Sequence, residues 1–221
     1  MFNGVLWESE LTGKLEGFRS ISTSSAKNPI CIERAKDEKS ICNKCYAMAM
    51  LAYRHSLDDH LTENLEILTD RILEERELPF INALAYRLEF SGDVANETQV
   101  INYFNICNHN PHTQFTVWTK NANIYRNAIN KGYQKPQNLI IVYSSPYLNV
   151  VSDISGYDFI DIVFTVFTAE YAIENHITIN CGGIKCMNCM ECYTRKDGVR
   201  YINEMLKSQQ KKYYKLLAQQ G

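Results

Sequence analysis

Seven of the chain's eight cysteines fall into two groups whose spacing suits metal chemistry. Cys181, Cys186, Cys189 and Cys192 lie in "CGGIKCMNCMEC", and Cys31, Cys42 and Cys45 lie in "CIERAKDEKSICNKC". The first has the pattern C-x4-C-x2-C-x2-C. A structural zinc ion usually takes two well-separated C-x2-C pairs that face each other as knuckles. Consecutive C-x2-C steps are better suited to a short loop wrapped around the several iron corners of a cubane. Gly182 and Gly183 permit backbone angles that such a wrap demands. The second group offers three thiols rather than four. A 4Fe-4S cluster held by three thiolates leaves one iron open to a substrate or cofactor, whereas a structural site is normally closed. The alternative for both groups is zinc, with the three-cysteine set completed by His55, His60 or a distant residue.

Compartment weighs on this choice. The N-terminus "MFNGVLWESE" has neither the basic region nor the apolar run of a signal peptide, and no stretch of about 18 apolar residues is present to span a bilayer. A cytoplasmic location is therefore expected, where thiols stay reduced and clustered ones bind metal or do redox chemistry more often than they form disulfides. The formal net charge is -2 and the pI near 6.2, which gives no general attraction to nucleic acid or to an acidic membrane. The lysines Lys207, Lys211, Lys212 and Lys215 are expected to form a solvated face of a terminal helix.

Elements must carry these loops. Short apolar, β-branched or aromatic runs at 18–23, 86–90, 114–118, 139–143, 161–167 and 177–180 read as strands. Between them, 46–55, 63–76, the segment after Glu97, "ANIYRNAINKG" and "AEYAIENH" read as helices, and "GVRYINEMLKSQQKKYYKLLAQQ" as a long terminal helix. Strand then helix, repeated, predicts an α/β fold, either a partial (β/α)6-type barrel or an open parallel sheet, doubly wound in the latter case. Residues 1–180 would form this domain and 181–221 a cysteine-rich cluster loop with the terminal helix.

In such folds ligands sit at the carboxyl ends of the strands. Those ends carry the first cysteine group, then Ser91, Gly92 and Asp93, then Thr119, Lys120 and Asn121, then Ser144, Ser145 and Pro146, then Thr168, Ala169 and Glu170, and finally Cys181. Plainer roles exist: Asp93 as a cap for the helix near Glu97, Lys120 as a solvated cation, Trp118 and Cys107 as core, and His109, His112 and His176 as surface or turn residues.

The order of these motifs, "CNKCYA", "RLEFSGD", "FTVWTK" and the cysteine-rich stretch, resembles a phage-encoded, largely uncharacterised family similar to radical S-adenosylmethionine enzymes, over roughly residues 18–195. The resemblance implies that Cys31, Cys42 and Cys45 bind a 4Fe-4S cluster whose open iron chelates the methionine end of S-adenosylmethionine, which an electron then cleaves to a 5'-deoxyadenosyl radical. It implies cofactor contacts for Tyr46, the aromatic after the third cysteine, for Ser91, Gly92 and Asp93 at the methionine amino group, and for Lys120 and Ser144 at the carboxylate or ribose. Cys181, Cys186, Cys189 and Cys192 would hold a second cluster. The chain departs from the family pattern in having C-x10-C-x2-C rather than C-x3-C-x2-C, and Ser-Gly-Asp rather than Gly-Gly-Glu. The expected function is an iron-sulfur enzyme with an unassigned substrate and an electron donor as partner. The competing expectation is a non-catalytic zinc- or iron-sulfur-stabilised phage or host regulatory protein.

Overall fold

In the computed structural model, which describes residues 1–218, eight strands form one sheet in the order of the chain. They are β1 (Phe2–Asn3), β2 (Leu6–Glu10), β3 (Arg19–Ile21), β4 (Ala85–Leu88), β5 (Gln114–Thr119), β6 (Leu139–Ser144), β7 (Ile162–Phe167) and β8 (Arg200–Met205). β1, β2 and β3 pair antiparallel, and every pair from β3 to β8 is parallel. The molecule is therefore α/β with a mostly parallel sheet. Its strand order never reverses, so it lacks the switch point of a doubly wound fold.

Both faces of the central strands are covered, which is why they read as unbroken apolar runs. In β6, Leu139 and Ile141 face one core while Ile140 and Val142 face another, and all four are fully buried. The first core is packed by helices α3 (His55–Asp70), α4 (Glu97–His109) and α5 (Ala122–Asn130), through Leu68, Val100, Phe104, Tyr125 and Ala128. The second face has a different cover. Residues 11–18 and the cysteine-rich stretch lie over it, with Phe18 stacked on Tyr193 at 4.2 Å and the Thr116 hydroxyl donating to the Cys192 carbonyl at 3.1 Å.

Several expectations are corrected. The sixth parallel strand is not "ITIN" at 177–180 but Arg200–Met205, which was expected to open the terminal helix. Ile202 and Met205 are buried in the sheet, and "ITIN" runs beside β8 without joining the ladder, tied by Asn180 to the Tyr201 carbonyl and the Asn203 amide. The helix over 63–76 ends at Asp70 and begins at His55. The helix over 46–55 is only Tyr46–Leu51 (α2). The terminal helix is confined to Gln210–Leu217 among the described residues; the last two residues of its expected span lie outside them. The segment that carries Cys31 also contains a short helix, Pro29–Ala35 (α1), beyond those expected. The remaining helices are Ala169–Glu174 (α6), as expected, and the single turn Cys186–Cys189 (α7), so that the terminal helix is α8. No described helix is long and apolar enough to cross a membrane.

Candidate functional site

The carboxyl ends of the strands open into a cavity of about 1080 Å³. Its wall includes Cys31, Cys42 and Cys45 from one group and Cys181, Cys186 and Cys192 from the other. Tyr46, Ser91, Gly92, Asp93, Lys120 and Ser144 line the same space. Of the residues expected to bind a metal or cofactor, Cys189 is not on this wall and is exposed; the strand-end residues Thr119, Asn121, Ser145, Pro146 and 168–170 also lie off it. Because β8 follows the cysteine-rich stretch, that stretch is part of the crossover between β7 and β8 rather than a loop after the last strand.

Each cysteine of the first group sits at a capped turn. Asn28 accepts from the amides of Ile30 and Cys31 and caps α1, while its own amide donates to the Asp93 carbonyl at 2.6 Å. The Ser40 hydroxyl accepts from the Cys42 amide, and Ser40 and Ile41 are held to the Pro146 carbonyl after β6. Cys45 closes that turn and opens α2. The Tyr46 ring is 66 % exposed overall, with its hydroxyl on the Phe90 carbonyl.

Asp93 has a role that its sequence position did not reveal. It does not cap α4, whose cap is Asn96. Its Oδ1 accepts from the Thr119 hydroxyl at 2.6 Å and from the Val94 amide, and its Oδ2 accepts from the Lys120 amide at 2.8 Å and from Arg34 at 3.1 Å. One carboxylate thus ties α1, the end of β4 and the end of β5. Gly92 is there because nothing larger fits: a Cβ would stand 2.3 Å from the Thr23 hydroxyl and 2.7 Å from Glu89 Oε2. The Ser91 hydroxyl is buried without a partner, as is that of Ser25, which lines the same cavity.

Glu89 was missed. It is buried in the left-handed region at φ 59°, and its carboxylate accepts from the Thr23 amide and hydroxyl, from Gln99 and from Tyr103 at 2.5 Å. Burial pushes its pKa up to about 7 against the pull of those donors. A charged residue inside the run "RLEF", just before a glycine turn, was the available signal. Burial, reinforced by Asp93, Glu89 and the neighbouring thiols, also holds Cys31 well above the ordinary thiol range, and burial with Cys181 and Cys186 pushes Cys192 up to about 12. Metal-free, these thiols hold their protons at neutral pH. On the far wall Lys14 bonds Glu204 at 2.6 Å and the Cys181 sulfur at 3.2 Å. Among the described residues no three His, Cys, Asp or Glu side chains are gathered as a metal ion requires.

Comparison with protein families matches residues 14–215 to the family described as Gene product 88. The chain belongs to the Gene product 88 family. The matched span takes in both cysteine groups and every candidate residue on the cavity wall, and leaves β1 and β2 outside. Membership of the Gene product 88 family bears out the phage-type kinship and says nothing of S-adenosylmethionine. No curated protein and no solved structure was found to match the chain.

Proposed function

We propose that this chain is an iron-sulfur enzyme of radical S-adenosylmethionine type on a partial (β/α)6 barrel. The observation that carries the reading is the meeting of six cysteines, from two groups far apart in sequence, on one cavity wall at the carboxyl edge of a parallel sheet. An unreversed strand order also suits a barrel segment.

The donor set fits such a centre in kind. Three thiols lie on turns on one side and four lie in the crossover on the other. The thiols are not gathered around a point among the described residues, so holding a cluster would require these loops to close on it. Cys31, Cys42 and Cys45 would hold the cluster with the open iron, and Cys181, Cys186, Cys189 and Cys192 a fully ligated one. When bound, the first cluster supplies the electron for reductive cleavage of the sulfonium.

The chain's own residues would orient the cofactor. Ser91 and Ser25 have buried hydroxyls with unused hydrogen-bonding capacity, so they suit the methionine amino group better than Asp93, whose oxygens are taken. Gly92 keeps the backbone open at that point. Lys120 and Ser144, which line the same cavity, would contact the cofactor's carboxylate or ribose, and the exposed Tyr46 would contribute a further contact. An external electron donor completes the reading. The runner-up, a zinc-stabilised binding protein, uses the same thiols without the cavity.

Anaerobic purification with iron, sulfide and zinc analysis tests this. Brown protein with about eight irons per chain is expected for two cubanes; colourless protein with stoichiometric zinc overturns it. Reduction with S-adenosylmethionine should then yield 5'-deoxyadenosine. Cys42→Ala should abolish that cleavage and remove about half the iron while leaving the second cluster's absorption.

A further inference from the structure

The cavity wall carries a cation with no anion of its own. Arg87, half-buried on β4, lays its guanidinium 3.9 Å from the centroid of the Trp118 ring on β5. No carboxylate among the described residues pairs with it, and its one weak bond is to the Glu89 carbonyl at 3.5 Å. By contrast Lys14 and Arg34 on the same wall are paired with Glu204 and Asp93, Lys44, Arg54 and Lys207 are exposed to water, and the half-buried, unpaired Lys120 is the cation already proposed to contact the cofactor. Beside Arg87 stands Tyr193, 3 % exposed, its ring 5.6 Å from Trp118 and its buried hydroxyl facing no polar group but the Arg87 side chain. A guanidinium held over an indole face is restrained in position, and its free edge can present two parallel N–H donors. A buried hydroxyl so poorly partnered costs free energy until something fills the space beside it. Both groups line the cavity, whose volume exceeds the roughly 300–1,000 Å³ of a usual single-ligand site.

We propose that Arg87 and Tyr193, backed by Trp118, form the recognition site for a carboxylate or phosphate group of the molecule on which the cavity acts. The guanidinium supplies a bidentate charged contact and the tyrosine hydroxyl a third donor. The site lies on the face of the sheet covered by the cysteine-rich stretch. It belongs to the chain whether or not the thiols carry clusters, so its test is separable from that of the proposed chemistry.

Trp118 reports on this site once the second tryptophan is removed. In Trp7→Phe protein as purified, with ionic strength held constant by potassium chloride, sodium succinate and inorganic phosphate are titrated separately while tryptophan emission is followed. A saturable change with at least one probe is expected, and the probe that saturates at lower concentration identifies carboxylate or phosphate as the group. Arg87→Gln should weaken that binding at least tenfold, Arg87→Lys should fall between, and Tyr193→Phe should weaken it about threefold or more. Circular dichroism checks that each variant folds. Should Arg87→Gln fail to fold, the other two variants decide. No saturable response to either probe overturns the proposal, as do unchanged affinities in the folded variants. Loss of bound iron on Arg87→Gln with no anion binding in the parent also overturns it, since Arg87 would then serve only as counter-charge to the thiolates.

Discussion

At the scale of single residues, the turn after β4 concentrates the tightest constraints. Gly92→Ala would drive a methyl group into the Thr23 hydroxyl and the Glu89 carboxylate, neither of which can retreat from its hydrogen bonds. Thermal or denaturant unfolding should show a loss of about 2–4 kcal/mol. Glu89 sets a pH dependence. Its folded pKa of about 7 lies above the ordinary carboxylate value, so between about pH 4.5 and 7 the folded chain keeps a proton that the unfolded chain has released. Its contribution is therefore full below that window and is lost as pH rises through it, up to about 3 kcal/mol. Unfolding measured from pH 4.5 to 8 should lose that slope in Glu89→Gln, which is less stable at low pH because its amide nitrogen opposes the Thr23 amide. The cysteines, Ser91 and Gly92 were legible as candidates because their types and spacing are chemical facts. Glu89 was not, because its burial depends on Thr23, which arrives from far up the chain, meeting Gln99 and Tyr103 of α4 around its carboxylate.

At the scale of elements, parallel strands with both faces buried announced themselves and edge elements did not. β5 and β6 fall within a residue of their expected bounds. β8 escaped because Ile202 and Met205, three apart, match one face of a helix as well as buried positions of a strand whose other residues meet solvent or the cavity. "ITIN" has the β-branched composition of a strand but lies outside the ladder. Ile202→Ala separates the two assignments. In the sheet it should cost about 2–4 kcal/mol by chemical denaturation, whereas on a surface helix it would cost less than about 0.5 kcal/mol. Asn28→Ala probes the other side of the cavity. Removing the α1 cap and the donor to the Asp93 carbonyl should cost about 1–2 kcal/mol and loosen the Cys31 turn, seen as faster amide exchange at residues 30 and 31.

At the scale of the whole molecule, one sheet face is a conventional helix-packed core and the other is closed by the segment that holds four of the thiols. Any centre formed there is built into the second core rather than clipped to the outside. Metal that binds only the folded chain raises its stability by mass action. Protein stripped by a chelator should therefore melt lower than loaded protein, with amide exchange quickening at 31–46 and 181–193 while β4 to β6 stay protected. Equal melting and equal exchange would mean that the thiols hold nothing.

The position of β8 also bears on what the folded chain keeps hidden. Without β8 the edge of β7 would stand bare beside the four thiols of the crossover. An open edge invites pairing with another chain. Chains truncated ahead of Arg200 should associate in sedimentation, and chains that extend past Met205 should not.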